Sequence, residues 1–448
     1  MKINKDIQFI FKKLNNKGFS AYLVGGCVRD FLMNKKPHDF DICTNAKPEE
    51  IVETFKNNHL LLHGMKHGTI TIVLNKNCYE VTTYRIDGEY KDNRRPEEVF
   101  FTDNLQLDLA RRDFTINALA YNGEIIDYFG GSSDIENKLI KCVGNPEERF
   151  NEDALRILRA LRFSSILDFD IEENTKKAIF KLYKNLKNIS YERINSEFSK
   201  LLLGKRCVQV LREFKEVFFF IIPELKKCDG FNQNNKYHIH DVWEHTLHVI
   251  NNTPYDLILR LTALFHDIGK PDTYELGEDN QGHFYTHPIK SVEITEQVLI
   301  RLRYSNQIKD NVLQLIKEHS LTFDVSKKFL RKCLVRIGEE NTKKLLIFRK
   351  ADIIGQRGRE EAKERLAKVD KILDLLNVVL EENNCFKITD LTISGKDLIA
   401  LGIPQGKVIG EILNDIFTEV INGSLKNEKE ILQQYIFDNY KEILKCPN

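Results

Sequence analysis

The sequence predicts an α+β protein, with a small mixed sheet in its first third and a mainly helical remainder. Residues 20 to 85 alternate short apolar runs with helix starts, as an α/β unit does. From about Arg112 the apolar spacing changes to the helical period, and it stays there beyond residue 150. At 448 residues the chain also exceeds what one hydrophobic core supports, so several domains are expected.

Taken in order, MKINKDIQFIFKKLNNKGF is an amphipathic helix with lysines spread along it. It lacks the charged start and continuous apolar run of a signal peptide. SAYLV is a strand, Gly25 and Gly26 a turn, VRDFLMN a helix start and HDFDICT a second strand. TITIVL and CYEVTTYR are the two strands of a hairpin across NKN, whose asparagines suit a tight turn. RDFTINALAYN and EDALRILRALRFSSIL then carry apolar residues at helical spacing. The polar stretch CDGFNQNNKYHIH, 228 to 240, is a linker, and another boundary falls near 383 to 395.

Composition narrows the class. The chain is 42% hydrophobic and 30% charged without a long polar or proline-rich tract, which excludes a disordered protein. No run approaches the roughly 18 apolar residues of a membrane helix. Cysteines at 27, 43, 78, 142, 207, 228, 333, 385 and 446 include no CxxC pair, which disfavours a zinc ribbon or disulfide framework and points to the cytoplasm. A net charge of +1 exerts no global pull on nucleic acid, so phosphate binding must come from local clusters. Arg94 with Arg95, Arg111 with Arg112, and Arg156 with Arg159 and Arg162 are such clusters.

Asp39 and Asp41 stand two apart in HDFDI, and on a strand such residues share a face. Two carboxylates side by side repel unless a cation lies between them. Mg²⁺ takes oxygen ligands and bridges to phosphates, and two such ions about 4 Å apart stabilise both oxygens of a phosphoryl displacement. A lone DxD reads equally as a solvated face. Ahead of it, Gly25 and Gly26 permit close backbone approach to a triphosphate, followed by Arg29 and Asp30 on the helix. Glu80, on a later strand, is a candidate third carboxylate beside an attacking hydroxyl, or an exposed edge residue.

Strand, GG, helix and DxD together resemble the nucleotidyltransferase superfamily to which DNA polymerase beta belongs. RRDFTINALAYN (111 to 122), DYFGGSSDI (127 to 135), EDALRILRALRF (152 to 163) and YERINSEF (191 to 198) extend this over about the first 225 residues. There the chain is similar to the class II tRNA nucleotidyltransferases, relatives of bacterial poly(A) polymerases. The resemblance implies addition of CCA to tRNA from CTP and ATP without a nucleic-acid template, using Mg²⁺ at Asp39 and Asp41. It implies that Arg112, Asp113 and Asn117 hold ribose and triphosphate, although Asp113 reads equally as a helix N-cap. Asp153 and Arg156, at i and i+3 of a helix, present an acceptor and a donor that suit cytosine and adenine edges, with Arg159 and Arg162 towards phosphates. DGEYKDNRRPEEVFF (87 to 101) resembles the flexible loop of full CCA-adding enzymes. The head alone would also serve a poly(A) polymerase or an enzyme adding only A or only CC.

Downstream, His245, adjacent His266 and Asp267, and Asp352 follow the H…HD…D order of the HD phosphohydrolases. Imidazole and carboxylate suit a transition-metal ion or Mg²⁺. His287 and His319 lie where some HD enzymes place extra ligands, whereas His240 and Asp241 precede the apolar helix and are incidental. A hydrolase or RNA-binding protein with an inactive head is the reading from a different class. The expected division is a nucleotidyltransferase head at 1–147, a helical neck with base-selecting and RNA-binding residues at 148–228, an HD domain at 235–360 and a tRNA-binding tail at 361–448. In that tail Gly402, Gly406 and Gly410 permit either backbone approach to phosphate or close helix packing.

Overall fold

The computed structural model describes residues 3–37, 39–88, 99–234, 239–278, 280–358, 360–382 and 386–443. They form two compact units, Met1–Pro223 with Arg301–Arg303, and Glu224–Ile300 with Tyr304–Asn448.

The first unit runs α1 (Lys5–Asn15), β1 (Ala21–Val24), α2 (Gly26–Leu32), β2 (Asp41–Thr44), α3 (Pro48–Thr54), β3 (His59–Leu61), β4 (Thr69–Leu74) and β5 (Asn77–Thr83). It continues through β6 (Arg85–Asp87), β7 (Val99–Phe101), α4 (Leu105–Ala110), β8 (Leu119–Asn122), β9 (Glu124–Asp127), α5 (Gly131–Glu136) and β10 (Leu139–Ile140). Then come α6 (Pro146–Glu152), α7 (Leu155–Leu167), β11 (Asp170–Ile171), α8 (Glu173–Leu182), α9 (Tyr191–Leu202), α10 (Cys207–Glu213) and α11 (Lys215–Ile221). A seven-stranded sheet in the order β3-β4-β5-β2-β1-β8-β9 is its frame. Only the β2–β5 pair is parallel, which makes the sheet mixed.

The β4–β5 hairpin forms as expected, turning at Asn75 and Lys76 with φ of 48° and 69°, the left-handed pair its twist requires. RDFTINALAYN departs from expectation. It is not a helix but a short 3₁₀ turn at Thr115–Asn117 leading into β8. Ala118, Leu119 and Ala120 are all buried and β8 pairs with β1, so tertiary burial on both faces overrides the helical spacing. β6 and β7 pair as a ribbon at the base of the 87–101 segment, whose residues 89–98 lie outside the described ones.

The second unit is helical, with α12 (Val242–Asn252), α13 (Leu257–Phe265), α14 (His287–Arg301), α15 (Asn306–Glu318) and α16 (Lys327–Arg357). α17 (Lys363–Glu381), α18 (Gly395–Ala400), α19 (Lys407–Asn422) and α20 (Lys429–Asn439) complete it. α16 breaks at Gly338, whose φ of 77° no helix interior adopts. Asp241 is indeed structural: it caps α12 by accepting the Glu244 amide at 2.7 Å. α18 to α20 share an apolar core of their own around Leu398, Ile412, Ile416, Leu432 and Ile436. Gly410 has open space where a Cβ would stand, which removes the close-packing explanation for it. No helix among the described residues is long and apolar enough to cross a membrane.

Candidate functional site

In the first unit a cleft of about 990 Å³ gathers eleven residues for which the sequence suggests a site role, beside Arg111 of the basic clusters. These are Gly25, Gly26, Arg29, Asp41, Arg112, Asp113, Asn117, Asp153, Arg156, Arg159 and Arg162. Eight arginines and one lysine line it against three aspartates, so it is built for a polyanion although the chain is nearly neutral.

The β1–α2 turn shapes one wall. Gly25 has φ 76°, and a Cβ there would meet Arg112 Nη1 at 3.2 Å and Asp41 Oδ2 at 3.7 Å. The backbone conformation therefore favours glycine, and the approach of Arg112 leaves little room for a side chain. At Gly26 the nearest atom would be Arg29 Nη2 at 3.6 Å, an ordinary contact.

Asp41 opens β2 and stands in register with Glu80 on the parallel β5. Desolvation raises its pKa, Arg112 opposes this, and Asp39 adds to it. Glu80 is raised by desolvation and then by Asp41 and Asp39, so the three carboxylates feel one another's charge. Asp39, however, precedes the strand and is exposed, and neither it nor Glu80 lines the cleft. The shared-face argument fails for Asp39 because Val24, the partner of Asp41, is the last residue of β1, and that ladder ends there. The donor set, three repelling carboxylates, fits a hard divalent cation.

A chain of buried and part-buried polar contacts fixes the cleft's other groups. Arg29 donates to Asn117 Oδ1 at 2.8 Å, Asn117 donates to Asp113 Oδ1 at 3.1 Å, and Arg159 Nε donates to Asp113 Oδ2 at 2.7 Å. Burial pushes the Asp113 carboxyl up, but Arg159 and Asn117 outweigh it and hold it below the usual range. Asp113 does not cap an α-helix: its Oδ1 accepts the amide of its neighbour Phe114, ahead of the 3₁₀ turn. The guanidiniums of Arg29, Arg159 and Arg162 surround the Phe163 ring at 5.2, 5.4 and 4.1 Å from its centroid.

EDALRILRALRF is not one continuous helix. α6 ends at Glu152, Asp153 is extended at φ −134° and ψ 103°, and α7 starts at Leu155. Asp153 Oδ1 takes the Leu155 amide at 3.0 Å, and this competing side-chain bond accompanies the break. Asp153 and Arg156 thus reach the cleft from a helix junction rather than one helix face. Each is already held: Asp153 Oδ2 by Arg193 at 2.8 Å, Arg156 by Glu152 at 2.6 Å and by the Arg111 carbonyl at 3.0 Å. Nε of Arg112 and Nη1 of Arg193 are buried without an acceptor among the described residues, an arrangement that invites a ligand's oxygens.

Sequence reading passed over several of these partners. Glu197 lies 3.1 Å from Arg162 Nε and sits within the apolar stripe Ile194, Phe198 and Leu201 of α9, a signal that was present. Asp108 is fully buried and pairs with Arg111 at 2.8 Å and Arg112 at 3.4 Å. Removing it strands two guanidiniums, so Asp108→Ala is expected to cost about 3–5 kcal/mol. A urea midpoint equal to that of the parent would contradict this. Arg85, Lys200 and His67 also line the cleft; only the fold brings them there.

The second unit holds a separate cluster. His245 Nε2 lies 3.3 Å from His266 Nε2, 3.3 Å from Asp267 Oδ2 and 3.3 Å from Asp352 Oδ1. His266 Nε2 is 3.1 Å from Asp267 Oδ2. All four sequence-predicted residues therefore converge, and all are buried. His287 and His319 join them, with Nε2 atoms 3.4 and 3.8 Å from Asp267 Oδ1. Lys270, unanticipated, lies 2.7 Å from Asp267 Oδ2 and donates to Gln233 from the expected linker at 2.7 Å. Burial opposes charging His245, but Asp267 and Asp352 raise it to about 9; burial pushes His287 down to about 4.

Comparison with known proteins agrees with this geometry. Residues 21–141 match the Poly A polymerase head domain, 168–228 the "Probable RNA and SrmB- binding site of polymerase A", and 285–436 a tRNA nucleotidyltransferase domain 2. Mixed sheet, cationic cleft and matched head define a nucleotidyltransferase. The chain is 36% identical over 439 residues to the CCA-adding enzyme of Enterococcus faecalis, covering 96% of this chain and 95% of that one. It is 32% identical over 436 residues to that of Oceanobacillus iheyensis, covering 96% of each. The chain belongs to the CCA-adding enzyme family. The Bacillus stearothermophilus CCA-adding enzyme in complex with CTP superimposes with a TM-score of 0.72 at 27% identity, covering 98% of this chain and 99% of that one. The Thermotoga maritima enzyme complexed with tRNA shares the fold at a TM-score of 0.61 and 22% identity, covering 97% and 96%.

Proposed function

We propose that the protein completes or repairs the 3′ end of tRNA in the cytoplasm, adding CCA from CTP and ATP without a nucleic-acid template. The single observation that supports this best is the arginine-lined cleft in which Asp41 stands among the polar groups of three motifs. In the reaction the tRNA 3′-hydroxyl oxygen bonds to the α-phosphorus of the nucleotide, the bond to the β-phosphate bridge breaks and pyrophosphate leaves. Asp39 and Asp41 would hold Mg²⁺, which when bound stabilises the charge on attacking and leaving oxygens. Glu80 is the third carboxylate, beside the attacking hydroxyl. Gly25 and Gly26 allow the backbone close to the triphosphate, and Arg29, Arg112, Asp113 and Asn117 orient ribose and phosphates. Asp153 and Arg156 select the base, while Arg159 and Arg162 face phosphates.

This reading divides the chain into a head (1–147), a neck (148–228), an HD domain (235–360) and a tRNA-gripping tail (361–448). Its test is incubation with tRNA lacking CCA, Mg²⁺ and each nucleotide alone or combined, resolved on a sequencing gel. CTP alone is expected to add two residues, and CTP with ATP three. A long A tail would make the protein a poly(A) polymerase instead, and CTP additions that stop at two with ATP present would make it a CC-adding enzyme.

The convergence of His245, His266, Asp267 and Asp352 favours a second activity. These residues hold a metal ion for phosphoester hydrolysis, independent of the head.

A further inference from the structure

We propose that Lys200 binds the terminal phosphates of the incoming nucleotide, at the end of the cleft farthest from the base-selecting residues. This rests on the nucleotidyl-transfer reading above and adds to it a residue that none of the sequence motifs contains. The first observation is how the cations of the cleft are paired. Seven of its eight arginines lie against a carboxylate, that of Asp30, Asp108, Glu152, Asp113, Glu197 or Asp153. The eighth, Arg85, donates to the His67 carbonyl. Lys200, the lysine of the lining, is exposed and has no ion pair among the described residues. Its full charge is therefore available to a ligand, whereas a carboxylate beside each paired arginine weakens that arginine's pull on an anion.

Position is the second observation. Helices α7 and α9 lie side by side and parallel: Asp153, just ahead of α7, meets Arg193 at 2.8 Å, Arg162 meets Glu197 at 3.1 Å, and Ser165 Oγ donates to the Leu201 carbonyl at 2.7 Å. Arg193, Glu197 and Lys200 stand at i, i+4 and i+7 of α9 and so share one face. At the helical rise Lys200 lies about 10 Å along the axis from Arg193, which holds the base-selecting Asp153. Between the two ends come Arg159 on Asp113, then Arg162 and Arg29 around the Phe163 ring. That is the order of a nucleotide laid out from base through ribose to phosphates, and Lys200 stands at the phosphate end, where Ile166 and Leu167 also line the cleft.

The neighbouring pair one turn back calls for an anion too. Arg162 Nε and Glu197 Oε2 are buried and 3.1 Å apart, yet neither makes an aligned hydrogen bond. Burial lowers the Arg162 pKa, Glu197 counters this, and Arg159 and Arg29 add to the lowering. A phosphate held by Arg162 and Lys200 relieves that repulsion. Lysine suits the place chemically, because its ammonium is a compact charge with three rotatable donors on a flexible stem. Terminal phosphates shift as pyrophosphate departs, and a movable cation stays with them where a guanidinium clamped to a carboxylate does not.

The test is binding to the full chain without tRNA, so that no transfer occurs. Equilibrium dialysis with Mg²⁺ and radiolabelled CTP, CMP or pyrophosphate compares the parent with Lys200→Gln and Lys200→Arg, substitutions that an exposed position tolerates. Lys200→Gln is expected to weaken CTP and pyrophosphate about tenfold, the effect of losing one charge-assisted contact, and to leave CMP unchanged. Lys200→Arg should restore most of the CTP affinity. In steady-state addition to tRNA lacking CCA, Lys200→Gln should raise the KM for CTP and leave that for tRNA within about twofold. CTP affinity that stays at the parent value would overturn the assignment, and weaker tRNA binding in that variant would give Lys200 to the RNA backbone instead. Equal losses of CTP and CMP would overturn it as well. A parent chain that binds CTP yet extends no tRNA would end the transfer reading, while the comparison of CTP with CMP still decides the role of Lys200.

Discussion

Asp41→Asn is expected to lower the rate of nucleotide addition by about 10³-fold or more while leaving tRNA affinity within about twofold. On the proposed function the carboxylate contributes to the reaction rather than to the fold. Asp41 is raised by desolvation and by Asp39, with only Arg112 opposing, so its ionised form is under strain in the absence of a cation. Replacing it by the neutral isostere removes that repulsion. The same substitution should therefore leave the melting temperature in EDTA unchanged or raise it. A variant that adds CCA at the parent rate would refute the metal role, whereas lost activity accompanied by a lower melting temperature would point to misfolding instead. Single-turnover extension of a tRNA primer, with filter binding alongside, separates the outcomes.

Asp153→Ala combined with Arg156→Ala should relax base choice. Each good pairing to a base edge supplies about 1–3 kcal/mol of discrimination, or roughly five- to 150-fold in relative kcat/KM. The quantities to measure are the ratios for CTP against UTP and ATP against GTP. The structure adds a third residue to this prediction. Arg193 holds Asp153 Oδ2 at 2.8 Å, so Arg193→Ala frees the acceptor that would read the base amine and should lower the same ratios. Part of any overall loss in Asp153→Ala belongs to stability, because its side chain also bonds the first amide of α7, an interaction worth about 0.5–2 kcal/mol. Ratios that stay at parental values while all rates fall together would sink the template idea.

Much of this site was legible before any fold was known, because its chemistry is written in local runs. The Gly25–Gly26 turn, Asp41 on its strand and the arginines of α7 are each set by a few neighbouring residues. Where reading went astray, longer-range packing had outweighed local spacing. RDFTINALAYN has helical periodicity but makes a short 3₁₀ turn and ends as a strand against β1, and Asp39 falls off the strand because the ladder to β1 runs out at Asp41. Asp153 and Arg156 share a cleft across a helix break that no three-residue spacing announces.

The amino-acid sequence by itself determined which groups this protein brings to chemistry: hard oxygens behind a glycine turn, a run of arginines, and an ordered set of histidines and aspartates further on. These depend on residue identity and short spacing, which survive without coordinates. Only the tertiary structure decided how those groups are paired. Arg193 to Asp153, Glu197 to Arg162, and Asp267 among His245, His287 and His319 join residues from separate elements. Such charges are buried only when the packing of those elements delivers a partner, and that packing is a property of the folded chain.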